Sequence, residues 1–213
     1  MKINTLFQPM SFALTLVAVA LCHTNQANAA RFTVLGDLSL ASAKITSAQN
    51  PTVTRGIGLG LGGELELPLT ENLELVAGGH YLNRKMNISA LSTETVSLTG
   101  LRIPVFPRLW LFGLIGIEVG AYYTIGLGNI STTDSAKNIT HLTYDQYGID
   151  NEEFGWMSGL SINIPWTAHC SIALQGIYSQ GIYDVSQSPG ATFKHNDLLI
   201  QVGLRFGTAP GKN

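Results

Sequence analysis

Between Trp110 and Leu127 the chain reads WLFGLIGIEVGAYYTIGL, its most apolar run outside the N-terminus and the feature that most narrows what it can become. The length invites a transmembrane helix, since roughly 20 apolar residues span a bilayer. The spacing points elsewhere. Leu111, Ile115, Ile117, Val119, Ala121, Tyr123, Ile125 and Leu127 share odd positions, while Gly116, Glu118, Gly120, Tyr122, Thr124 and Gly126 share even ones. A period of two is the period of a strand. A helix would wrap Glu118 into an apolar surface, whereas a strand of a closed barrel sends Ile117 to lipid and Glu118 to the lumen. The run is therefore expected to be the fifth strand of a barrel.

The N-terminus is of a different kind. Residues 1–29 carry one charge, Lys2, then an apolar run Phe12–Leu21 and the small-residue sequence Ala27-Asn28-Ala29. This is the pattern of a secretory signal peptide cleaved after Ala29. The apolar run is about half of what a spanning helix needs. Cys22 raises the alternative of a lipid attachment site, which the bulky Leu21 before it disfavours. Loss of Lys2 changes 12 basic residues to 11 against 14 acidic ones, so the mature net charge is −3, and nothing indicates a nucleic-acid partner. Cys170 is the only cysteine beyond Cys22, which excludes an intramolecular disulfide in the mature chain. Charged residues are only 12%, about half the share in a soluble domain. A chain that faces lipid can do without them. Residues 30–213 are expected to form one barrel domain.

In chain order, Arg31–Ser42 alternates, with Phe32, Val34, Leu38 and Leu40 opposite Thr33, Asp37 and Ser39. In Gly56–Thr70, Ile57, Leu59, Leu61, Leu65 and Leu67 oppose Gly58, Gly60, Gly62, Glu64 and Glu66; the inner glycines leave room for long lumen side chains. A short turn around Pro68–Asn72 leads to Leu73–Asn83, where Glu74, Val76, Gly78 and His80 face inward. Arg84–Thr93 reads as a polar loop. Within Glu94–Pro107 the apolar parity changes between Leu98 and Leu101, which predicts a β-bulge near Gly100, and Phe106–Leu109 reads as a tight connection. Gly128–Glu152 is the longest irregular segment. Strands are then expected over Phe154–Ile164, Cys170–Tyr183 and Asp197–Phe206, with a turn at Pro165–His169 and a polar loop at Asp184–His195.

These eight segments have connections that alternate long and short, as in an all-β, eight-stranded, antiparallel up-and-down transmembrane β-barrel with short periplasmic turns and longer exterior loops. The exterior loops fall near 43–53, 84–93, 128–152 and 184–195. Trp110 and Trp166 beside the turns, and Trp156 and Tyr81 near the far strand ends, would form the aromatic girdles.

Leu101-Arg102-Ile103-Pro104-Val105 followed across a short turn by Gly116–Leu127, and Ile177-Tyr178-Ser179-Gln180-Gly181-Ile182-Tyr183-Asp184-Val185, resemble strands of the PorT-like outer-membrane β-barrels, within the wider class of OmpA-like eight-stranded barrels. The final Leu204-Arg205-Phe206 looks like the aromatic-ended signal read by barrel-insertion machinery, although Gly207–Asn213 extends beyond it. The resemblance covers the mature chain and implies export to a bacterial outer membrane, a setting of lipids and envelope proteins, and in a few relatives a link to secretion. It implies no defined activity.

Candidate chemistry is sparse. His169-Cys170-Ser171 has the His-x-Ser spacing of barrel lipid A deacylases, but a serine nucleophile needs a base and a group that orients the base. This pair lies at a periplasmic turn and no acid follows before Asp184. Neither a catalytic site nor a cofactor is expected. Glu64, Glu66, Glu74, His80, Arg102, Glu118 and Arg205 all take lumen parity. They could form a selectivity filter, but eight strands leave an interior just wide enough for side chains, and buried charges need partners. An internal ion-pair network is expected, with Glu118 meeting Arg102 or Arg205. His80 belongs to that network and not to a metal site, since His141, His169 and His195 lie in other regions. Tyr144, Asp145, Tyr147, Asp150 and Glu152 in the longest loop are the candidates for an external partner. The expectation is a monomeric, non-enzymatic barrel with a structural, adhesive or secretion-associated role. The alternatives are a narrow pore for ions or small solutes and a soluble ligand-binding barrel with apolar residues inside.

Overall fold

The computed structural model describes residues 30–47, 51–89, 92–188 and 190–207; the expected signal peptide lies outside them. Its strands are β1 (Arg31–Thr46), β2 (Thr52–Pro68), β3 (Leu73–Ser89), β4 (Thr93–Leu111), β5 (Ile115–Gly126), β6 (Ile130–Thr133), β7 (Ile139–Leu142), β8 (Glu152–Pro165), β9 (Cys170–Gly181) and β10 (Thr192–Phe206), with a one-turn helix α1 (Tyr144–Tyr147) after β7. The antiparallel ladder runs β3-β2-β1-β10-β9-β8-β5-β4, and β4 pairs back onto β3, closing a ring of eight strands. Closure leaves the eight-stranded ring without an unpaired edge, which is what permits its strands to cross lipid. Among the described residues no helix is long and apolar enough to cross a membrane.

The ring turns an ordinary globule inside out. Leu59 is 68% exposed on the outer wall, while Arg108 is 0% exposed in the lumen. Phe32, Ile57, Leu61, Ile117, Leu160, Ile162, Ile200 and Val202 continue the apolar belt around the outside. Period-two alternation holds through β5, β8, β9 and β10 as the sequence indicates.

The connection between β4 and β5 is Phe112–Leu114, not Phe106–Leu109. Positive φ at Phe112 and Gly113, with the Leu114 N–H donating to the Leu111 carbonyl at 3.1 Å, makes a tight two-residue hairpin. β4 therefore continues through Pro104 and Pro107 to Leu111. The Trp110–Leu127 run is in fact the end of one strand, a turn and the next strand.

The expected bulge near Gly100 is absent: β4 keeps a constant register with β3 on both sides of it, and with β5 from Gly100 to Leu111. Val96 and Leu98 are buried because the lumen itself becomes apolar at that level. The irregularity lies instead in β2, where the register against β3 shifts by one residue between Arg55 and Gly60. Gly56 and Gly58 suit it, since a Cβ on either would meet the Lys85 or Asn83 carbonyl at 2.4 or 1.7 Å.

Strands extend into segments that read as loops. β3 reaches Ser89 and β4 starts at Thr93, so most of 84–93 is ladder. At about 3.3 Å per residue the 19 residues of β4 run well beyond the 9–11 that a bilayer requires. The irregular segment 128–152 contains the β6–β7 hairpin, which pairs with β4 through Thr95, Val96 and Ser97, and then α1.

Inner glycines set the clearances of the lumen. A Cβ on the inner Gly62 would fall 2.2 Å from the His80 ring, whereas one on Gly176, on the outer wall, would meet nothing within 4 Å. Gly62→Ala is expected to lower barrel stability by about 1–3 kcal/mol and Gly176→Ala to leave it within about 0.5 kcal/mol, measured by urea unfolding in detergent followed by heat-modifiable gel migration.

Candidate functional site: a charged lumen under an apolar cap

Every residue expected in the lumen is there and buried: Glu64, Glu66, Glu74, His80, Arg102, Glu118 and Arg205. The centre of the set is a residue the sequence reading assigned to a turn. Arg108 on β4 donates to Glu118 at 2.8 Å, to Glu66 and Glu74 at 3.1 Å each, and to Glu64 at 3.2 Å. Glu118 thus meets Arg108, with Ser161 donating to it at 3.0 Å, and not Arg102 or Arg205. Arg205 donates through Nε to Glu66 and through Nη1 to Asn163, both at 2.8 Å, and lies 4.8 Å from the Trp110 ring. Trp110 is 2% exposed, packed against guanidiniums inside the turn end and absent from the outer girdle. Arg31 also pairs with Glu74. Trp166, exposed at its turn, does fit the girdle, as do Trp156 and Tyr81.

Above this layer His80 Nδ1 lies 2.9 Å from Asp37, and Gln201 donates to Asp37 at 2.7 Å. His80 Nε2 faces Glu64 at 3.7 Å, and Gln175 donates to Glu64 at 3.0 Å. Nearer the loop end Arg84 donates to Glu153 at 2.6 Å and to Thr124 at 3.0 Å. Arg102 pairs with Asp197, donates to Ser179 at 3.1 Å and lies 4.3 Å from the Tyr122 ring. Arg84, Glu153 and His195 are not expected in the lumen from the sequence, because their segments read as loops or loop margins. Their lumen parity with Leu82, Gly155 and Asp197 is the signal that could have found them.

An apolar cluster of Ala43, Met86, Val96, Leu98, Ile130, Ile149, Val185 and Phe193 sits over the charges, with Tyr144 and Tyr147 packed on it. Tyr144 donates its hydroxyl to the Thr99 carbonyl at 3.1 Å, and burial raises the pKa of both tyrosines, that of Tyr147 to about 12. The two loop tyrosines thus hold the cap in place, while Asp145 and Asp150 stay exposed and accept from Gln187 at 3.3 and 2.9 Å. Glu152 begins β8, half-buried. A cavity of about 30 Å³ remains between the cap and the top ion pairs, lined in part by Arg84, Glu153, His195 and Tyr144.

The His169-Cys170-Ser171 pair is split: His169 is exposed in its turn, and Ser171 points into the lumen and donates to Asn163 at 2.6 Å. Among the described residues no three His, Cys, Asp or Glu side chains converge to hold a metal ion.

A closed eight-stranded ring with an aliphatic exterior and paired charges inside defines a transmembrane β-barrel. Neither a protein-family model nor a curated protein matches the sequence. Among solved structures the chain is similar to Neisserial surface protein A, at 11% identity over 83% of this chain and 96% of that one with a TM-score of 0.46. It is likewise similar to the outer-membrane protein OprG of Pseudomonas aeruginosa, at 11% over 84% and 96% with a TM-score of 0.45. A third is Ail, the attachment invasion locus protein of Yersinia pestis in complex with the heparin analogue sucrose octasulfate, at 10% over 83% and 99% with a TM-score of 0.41.

Removing Arg108 takes the shared cation from four buried carboxylates and leaves Glu118 with Ser161 alone. Arg108→Leu is expected to cost at least about 3–5 kcal/mol, seen as loss of the compact, fast-migrating gel form at lower urea. On the β6–β7 turn, hydrogen bonds from the Asn138 side chain and backbone hold the Asp134 carboxyl below its ordinary pKa. That contribution is complete above the ordinary aspartate range and is lost as pH falls through the lowered value. Amide exchange at Asn138, corrected for intrinsic rates, is expected to lose protection at the acid end and not at the alkaline end.

Proposed function

We propose that the protein is a closed, non-enzymatic barrel of a bacterial outer membrane, which uses a rigid wall to present its loop end for a structural, adhesive or secretion-associated contact. The observation that carries this reading is the filling of the lumen: ion pairs through the depth of the apolar belt and an apolar cluster over them. A conducting channel needs a water-filled path, and buried charges so paired exclude one. The wall supports lipid contact, and the final Leu204-Arg205-Phe206 supports delivery through barrel-insertion machinery. Orientation follows from connection length, with short turns in the periplasm and α1 and the β6–β7 hairpin outside. Asp145 and Asp150, tied by Gln187 across to the β9–β10 connection, give an envelope or surface partner an acidic, preformed face. A ring that closes on itself supports a monomer.

Planar-bilayer recording tests the closed lumen. The wild-type chain is expected to show no steady conductance, and Arg108→Ala to introduce intermittent openings. Steady wild-type conductance abolished by changing Glu118 or Arg205 would replace this reading with a narrow pore.

A further inference from the structure

One cross-strand pair on the outer wall is at odds with its surroundings. Lys44 of β1 sits directly opposite Lys194 of β10, and both lie on the outward parity, flanked by the buried Ala43, Phe193 and His195. Like charges placed opposite each other on a ladder repel. Among the described residues neither ammonium has a carboxylate within 4.0 Å. Asp197, the acid nearest in sequence to Lys194, is buried in the lumen and paired with Arg102, and Asp184 accepts from the Phe193 and Ser186 N–H groups. Lys194 gives one hydrogen bond, to the Ile182 carbonyl at 2.9 Å, and an ammonium has three to give.

The height of the pair tells what can reach it. Phe32 and Phe206 are paired at the turn end of the same two strands, and Lys44 and Lys194 lie twelve residues further up both. At about 3.3 Å per residue and a tilt of about 40°, that is roughly 30 Å above the bottom of the belt. An outer-membrane apolar band is about 25 Å tall. Below the lysines the same columns carry Leu40 and Val34 on β1 and Leu198 and Val202 on β10. The ammonium groups thus stand where an acyl chain lying on those columns would have its headgroup, and their alkyl stems can continue the apolar contact.

We propose that Lys44 and Lys194 form a two-pronged site for a phosphate-bearing lipid headgroup in the outer leaflet. The inference rests on the membrane placement and orientation given under Proposed function. A phosphate between the ammonium groups converts a repulsive pair into two charge-assisted hydrogen bonds, and the apolar columns beneath select a lipid over a free anion.

The experiment uses the mature barrel in maltoside micelles, with and without phosphatidic acid, and reads the urea midpoint of unfolding by gel migration. The wild type is expected to gain in midpoint when phosphatidic acid is added, and Lys44→Gln with Lys194→Gln to lose most of that gain. In plain maltoside the double variant is expected to be at least as stable as the wild type, because the repulsion is gone. Lys85→Gln, on the outward parity of β3, is expected to keep the gain. A double variant that gains as much as the wild type would overturn the site. So would an equal gain from inorganic phosphate, which would assign the pair to a soluble anion. A chain with no compact form in micelles would overturn the barrel reading as well, whereas a compact barrel indifferent to phosphatidic acid would overturn the lipid site alone.

Discussion

Arg108 holds the turn end of the barrel together. Its guanidinium reaches carboxylates supplied by β2, β3 and β5 from a position on β4, so one side chain cross-links four strands through the lumen. At this depth lipid surrounds the wall, and no bulk water can solvate an unpaired charge. The geometry must then satisfy Coulombic attraction and hydrogen bonding together, or the desolvation cost stands uncompensated. Gly116 is part of the same solution, since a Cβ there would lie 3.0 Å from the Arg108 side chain. Glu66 then passes the constraint on to Arg205 and to Thr33, which ties the first and last strands of the ring into the same network.

That network explains why the ends of the barrel are free to differ. The turn end is fixed by charges that tolerate no loosening, so its connections can shrink to Phe112–Leu114 or Trp166–His169. The loop end is closed by dispersion and burial among Met86, Val96, Leu98, Ile130 and Phe193, contacts that tolerate changes of shape better than ion pairs do. Insertions such as the β6–β7 hairpin can accumulate there while the wall stays rigid.

What the sequence made legible follows the same division. Within the belt the alternation is strict because one face meets lipid and the other meets charge, and Glu64, Glu118 and Arg205 could be placed by parity alone. Arg108 falls within Phe106–Leu109, which reads as a tight connection, while the ladder carries one long strand through Pro104 and Pro107 to Leu111. Arg84 and Glu153 were lost because their segments read as polar on both faces, and polarity on both faces resembles a loop. The parity change near Gly100 was a true signal with a different cause. It marks the lumen turning apolar, not the strand slipping.

That change of parity also locates the membrane surface. Below Gly100, β4 sends Leu101, Ile103 and Val105 outward and Arg102 and Arg108 inward. Above it the signs reverse: Val96 and Leu98 point in, and Thr95, Ser97 and Thr99 point out. There they form a hydrogen-bonded ladder with Asn83 and Asn87 of β3, at 2.8–3.3 Å. One strand is thus membrane-like over its lower part and globule-like over its upper part. The solvent outside must change at that height, because the same wall cannot favour aliphatic side chains in one layer and amide–hydroxyl ladders in the next within a single medium. The boundary is written in the chain as an exchange of faces. A barrel wholly in water would show no such exchange, and one that ended at the lipid surface would have no upper layer in which to show it.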